Sequence, residues 1–125
     1  MKLNINNIDI RKADLGLGHE YVPQTDWNLE LTENERVSVE CEYFKVGEKA
    51  RFMVASADGT AAIDLAGVFS SKVKEIRGLS INGEDITTAK KLLSYPSIPE
   101  LETMMMDVVL HILKADSLTE DESKN

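Results

Sequence analysis

The segment from residue 97 to 115 limits the fold more than any other. Ser97, Ile98, Pro99 and Glu100 have the form of a capping box: a serine cap, a glutamate three residues on, and a proline in the first turn, where its missing N–H is not needed. The spacing predicts a helix from about Pro99 to Ala115. Its apolar residues do not make a narrow seam. Leu101, Met104, Met105, Val108 and Ile112 repeat at intervals of three and four, and Met106, Val109, Leu110 and Leu113 widen the stripe beyond the face that a two-layer domain usually buries.

The residues upstream supply a sheet and two more helices to set against it. Val37, Val39, Cys41 and Tyr43 alternate with Ser38, Glu40 and Glu42, a period of two that places the apolar set on one face and the glutamates in water. The run from Ala50 to Ala57, with Phe52, Met53 and Val54, predicts the partner strand, joined through a turn at Val46-Gly47-Glu48-Lys49. Asp58-Gly59-Thr60 is expected to close that hairpin and cap a helix over 61–75, with Ala62, Leu65, Ala66, Phe69 and Val73 at helical spacing. Gly78 and Asn82-Gly83 bracket a short strand at Leu79 to Ile81. Thr87 or Asp85 caps a second helix through about Ser94, ended by Tyr95-Pro96, because the residue before proline leaves the helical region.

Toward the start, Leu3, Ile5, Ile8 and Ile10 suggest a tiny hairpin or one kinked strand around Asn6-Asn7, and residues 11–26 an irregular connection punctuated by Gly16, Gly18, Pro23 and Asn28. Beyond Ala115 charge and hydroxyl groups dominate, too little apolar surface to offset ordering entropy, so residues 116–125 are expected to be a disordered acidic tail. Residues 1–115 then form a single α+β domain, an N-terminal antiparallel β-hairpin or small sheet packed against about three C-terminal α-helices. A chain of 125 residues can hold such a core without a metal or disulfide staple.

Charge and motifs exclude several functions. With 22 acidic against 14 basic residues the net charge is −8, and the cations Lys72, Lys74, Arg77, Lys90 and Lys91 lie among Glu75, Glu84 and Asp85, so no nucleic acid is expected as a partner. No run approaches the ~18 apolar residues of a membrane span, and the first ten residues lack the apolar run of a signal peptide, so a cytoplasmic protein is expected. Cys41 stands alone, and His19 and His111 have no His-x-x-x-His or Cys-x-x-Cys neighbours. His19 reads as a surface-loop residue and His111 as the polar edge of the last helix. Asp9, Asp14 and Asp64 lack calcium-loop spacing, and Ser70-Ser71 lacks the context of an activated serine. The expectation is no catalytic residue, no metal and no cofactor.

What remains is a surplus of apolar surface. One reading puts the whole last-helix stripe in the core. The other assigns part of it, namely Leu101, Met104, Met105, Val108 and Ile112, to a partner-binding surface, since consecutive methionines adapt to varied helical ligands. Trp27 is either a core anchor or an exposed hot spot.

The succession from the helix at 61–75 through Ile76-Arg77-Gly78-Leu79-Ser80-Ile81-Asn82-Gly83-Glu84-Asp85-Ile86-Thr87, the short helix ending at Tyr95-Pro96, the terminal helix and the charged tail resembles the tail assembly chaperones of long-tailed bacteriophages and prophages. The likeness spans residues 60–125. It implies a non-enzymatic protein, in the cytoplasm of the bacterial host, that coats the long helical tape-measure protein and helps bring tail-tube subunits to it. The first residues match nothing in that family, which leaves a structural tail or head-completion subunit, or a small ligand-binding domain, as alternatives. A homo-oligomer is also left open.

Overall fold

A computed structural model describes residues 18–55 and 57–124, with side chains as far as Lys114. The expected hairpin or kinked strand at 2–10, and the connection up to residue 17, lie outside the described residues.

The alternation at Val37 to Cys41 builds the centre of the main sheet. Strand β2, Ser38–Cys41, pairs antiparallel on one side with β1, His19–Tyr21, and on the other with β5, Val73–Arg77. Val37, Val39 and Cys41 are buried, as the period of two requires. On β5 the buried residues are Val73 and Ile76, three apart, which a regular strand would send to opposite faces. The register shift between Glu40 and Cys41 reconciles them: Ile76 faces Val39, and Val73 faces Cys41 after the pairing skips Lys74. The bulge returns both side chains to the core face.

The expected hairpin between 37–43 and 50–57 does not form. After a turn at Val46 and Gly47, Lys49–Phe52 make a 3-10 turn that redirects the chain, and β3, Met53–Ala55, pairs with β4, Ala61–Ile63, in an exposed ribbon. Asp58 closes that ribbon by accepting from the Thr60 amide and hydroxyl at 3.1 and 2.7 Å. With residues 61–63 used as strand, the helix cap passes from Asp58 to Asp64, whose side chain accepts from the Gly67 amide at 3.0 Å. Helix α1, Asp26–Leu29, lies in the loop after β1, and α2 is Leu65–Lys72, shorter at both ends than 61–75.

Gly78, at φ +81°, turns the chain out of β5; a side chain there would meet the Arg36 carbonyl oxygen at 2.9 Å. Strands β6, Ser80–Ile81, and β7, Glu84–Asp85, form a hairpin around Asn82 and Gly83, both with positive φ. Helix α3, Ala89–Leu92, is capped by Thr88, one residue beyond the nearer expected cap.

Helix α4 starts at Pro99 as expected, although the Ser97 hydroxyl donates to Glu102 Oε1 at 2.9 Å, further along the first turns than the capping box implies. It continues through Lys124, across the stretch read as a disordered tail. No proline or glycine interrupts that stretch, and each residue added to a formed helix gains a hydrogen bond without a new nucleation cost. Among the described residues the fold is therefore α+β, with a small antiparallel sheet and four helices. Its core joins Val39, Cys41, Val73 and Ile76 of the sheet to Val68 and Phe69 of α2, Ala89 and Leu92 of α3, and the inner face of α4. No helix among the described residues is long and apolar enough to cross a membrane.

Candidate functional site: an acidic-rimmed groove beside a histidine–cysteine cluster

Helix α4 turns its predicted partner-binding stripe inward. Leu101, Met104, Val108 and Ile112 are at most 9% exposed, and Met105 is half-buried against the same core. That assignment is corrected: the sheet and α2 already cover the three-and-four spacing, so these residues hold the domain together. The surplus lies on an adjacent face, at Met106 and Leu110, one helical turn apart and 41% and 54% exposed.

These two residues and Trp27 of α1 make the apolar floor of an open groove of about 780 Å³ between α1 and the first turns of α4. Trp27 is half-buried, packing against the core and also lining the groove, and its indole N–H donates to Thr103 Oγ1 at 3.3 Å. Asp26, Glu30, Glu100, Glu102 and Asp107 edge the groove, and among the described residues its lining includes no lysine or arginine. Helix α1 is placed by Asn28, which is fully buried: its amide nitrogen donates to the Pro23 and Val37 carbonyls at 2.9 and 3.0 Å, and its oxygen accepts from the Val37 amide at 2.8 Å.

Asp107 links the groove to a second constellation. Its carboxylate accepts from the Tyr21 hydroxyl at 2.7 Å and the Gln24 amide at 2.8 Å. The Tyr21 ring stacks on His111 at 3.8 Å between centroids, and Tyr43 lies against His19 at 4.4 Å. His19 and Cys41 face each other across the β1–β2 ladder, while His111 comes down from α4. His19 Nε2 lies 2.8 Å from His111 Nε2 and 3.5 Å from the Cys41 sulfur; one ligand atom from each of the three residues falls within 4.8 Å of the other two. The Tyr43 hydroxyl is 3.4 Å from His111 Nε2.

Burial, with Glu40 and Glu42 adding to it, pushes the Cys41 thiol up to about 12. Burial, helped by His19 and opposed by Asp107, brings His111 down to about 4. Burial and the bond to Asp107 raise Tyr21. Near neutral pH the cluster thus holds a protonated thiol and an uncharged His111. An un-ionised thiol is a poor nucleophile, whereas neutral imidazole is the form that binds metals. Reading His19 as a loop residue and Cys41 as lacking a partner is corrected here. Both were invisible locally, because the pairs meet across 22 and 92 residues of sequence. The glutamates read as merely solvated are ion-paired, Glu40 with Arg77 at 3.1 Å and Glu42 with Lys74 at 3.8 Å.

Comparison with known proteins finds no family model, no curated protein and no solved structure that matches this chain.

Proposed function

We propose that this protein is a non-enzymatic binding module that takes an amphipathic, basic helix of another protein into the Trp27–Met106–Leu110 groove. The observation that carries this reading is the exposed apolar floor of Met106 and Leu110, edged by five carboxylates with no cation among the described lining residues. Apolar residues of a docking helix would cover Met106 and Leu110, each contributing roughly 1.5–3 kcal/mol, while lysines or arginines flanking its stripe would meet the acidic edges. Together with the pattern of residues 60–125, this supports a tail assembly chaperone whose client is the helical tape-measure protein, with tail-tube protein as a further partner.

Co-expression with the tape-measure protein of the same phage tests it. The chaperone reading predicts a soluble complex that weakens as salt rises, since the acidic rim steers the client, and predicts that the protein is missing from finished particles. Its recovery as a stoichiometric component of purified particles would identify a structural subunit instead.

A further inference from the structure

The chain contains one cysteine and two histidines, and the fold brings all three to one point from three separate elements. We infer that His19, Cys41 and His111 bind one zinc ion through the two Nε2 atoms and the Cys41 sulfur, leaving a fourth position for water.

The spacing suits that ion. Zinc at ~2.0–2.1 Å from nitrogen and ~2.3 Å from sulfur, in a tetrahedral site, sets nitrogen and sulfur about 3.6 Å apart and two nitrogens about 3.3 Å apart. The His19–Cys41 separation of 3.5 Å already matches, and the His19–His111 separation of 2.8 Å needs the imidazoles to part by about half an ångström. The stacked Tyr21 ring and the Tyr43 ring hold the two imidazole planes, and the bond from Tyr21 to Asp107 fixes Tyr21 in turn. Such supporting contacts orient metal ligands in known sites. A donor set of two imidazoles and a thiolate selects zinc over magnesium or calcium, which require oxygen. The Asp107 carboxylate, one turn before His111 on α4, is already engaged by Tyr21 and the Gln24 amide.

Binding balances without redox chemistry. The Cys41 S–H bond breaks, its proton leaves to solvent, and the sulfur electron pair forms the zinc–sulfur bond. In the metal-free pair one imidazole donates through Nε2 to the other, so that ring shifts its hydrogen to Nδ1 and both Nε2 lone pairs face the ion. Cys41 is buried, but both histidines are only half-buried, which leaves an approach along their edges.

The full chain, stripped of metal with a chelator and kept reduced by a phosphine, is titrated with Co²⁺ and then with Zn²⁺. The expected result is one cobalt per chain, with the intense visible bands of tetrahedral cobalt and a near-ultraviolet thiolate-to-cobalt charge-transfer band, all bleached by one equivalent of zinc. Cys41→Ser should lose the charge-transfer band, and His111→Gln should weaken binding by at least about tenfold. Zinc should also raise the thermal midpoint of the wild-type chain, and not that of His111→Gln. A folded wild-type chain showing only the pale spectrum of aqueous cobalt would overturn the proposal, as would bands unchanged in Cys41→Ser. If Cys41→Ser does not fold, the charge-transfer band of the wild-type protein reports the sulfur directly, and its absence overturns the site.

Discussion

Among the described residues Lys72 is the one buried lysine, 3% exposed, with its ammonium ion-paired to Glu48 and lying 5.9 Å from the Phe44 ring centroid. Removing one member of such a pair strands a buried charge, so Glu48→Gln should cost about 3 kcal/mol in a denaturant melt, while replacing both members, Lys72→Met with Glu48→Leu, should be close to neutral. Burial alone would raise the Glu48 carboxyl, but the Lys72 ammonium and Lys45 amide outweigh it and hold the group below its ordinary value of 4.5. A carboxyl lowered by folding contributes stability above its unfolded pKa and loses it as the pH falls through the folded one. Acid unfolding below about pH 4.5 should therefore be shallower in Glu48→Gln than in the parent chain. Asn28 carries similar weight without charge. Replacing it with Ala leaves buried Pro23 and Val37 backbone groups without their partner and should lower stability by about 3 kcal/mol, measured the same way. In the sequence Asn28 looked like loop punctuation, since nothing local announces that a side chain will bond to backbone nine residues away.

At the scale of elements, legibility followed the range of the interaction. Pro99 as the start of α4, the Asn82-Gly83 turn and the alternation Val37, Val39, Cys41 were readable, because each is set by dihedral preference or by which face is apolar. Strand pairing was not. Val46-Gly47-Glu48-Lys49 has good turn chemistry, yet β2 finds its partners at His19–Tyr21 and Val73–Arg77, and neither choice is encoded near the turn. The bulge at Lys74 also hid β5, by spacing its two core residues like a helix. The same non-local pairing concealed the histidine–cysteine cluster. The start of α2 rests on Asp64 rather than on Asp58. Asp64→Ala should thus reduce stability by about 1 kcal/mol, whereas Asp58→Ala should leave α2 unaffected, a contrast that amide exchange at Gly67 and Val68 would resolve.

For the whole molecule, the sheet and α2 cover one side of α4 and leave Met106 and Leu110 to a groove that is acidic in a chain of net charge −8. Excess apolar surface was legible in the sequence, but its position was not, because the stripe with the best helical spacing is the one the core claims first. Core and groove thus draw on different faces of a single helix. Calorimetric titration of the Met106→Asp/Leu110→Asp variant with a synthetic amphipathic Leu/Lys helix, beside the parent chain, tests it most directly. Two contacts of roughly 1.5–3 kcal/mol each predict a loss of affinity of about a hundredfold or more, with the melting temperature unchanged because both side chains are exposed in the free protein. A variant that melts like the parent and binds that helix equally tightly would contradict the account.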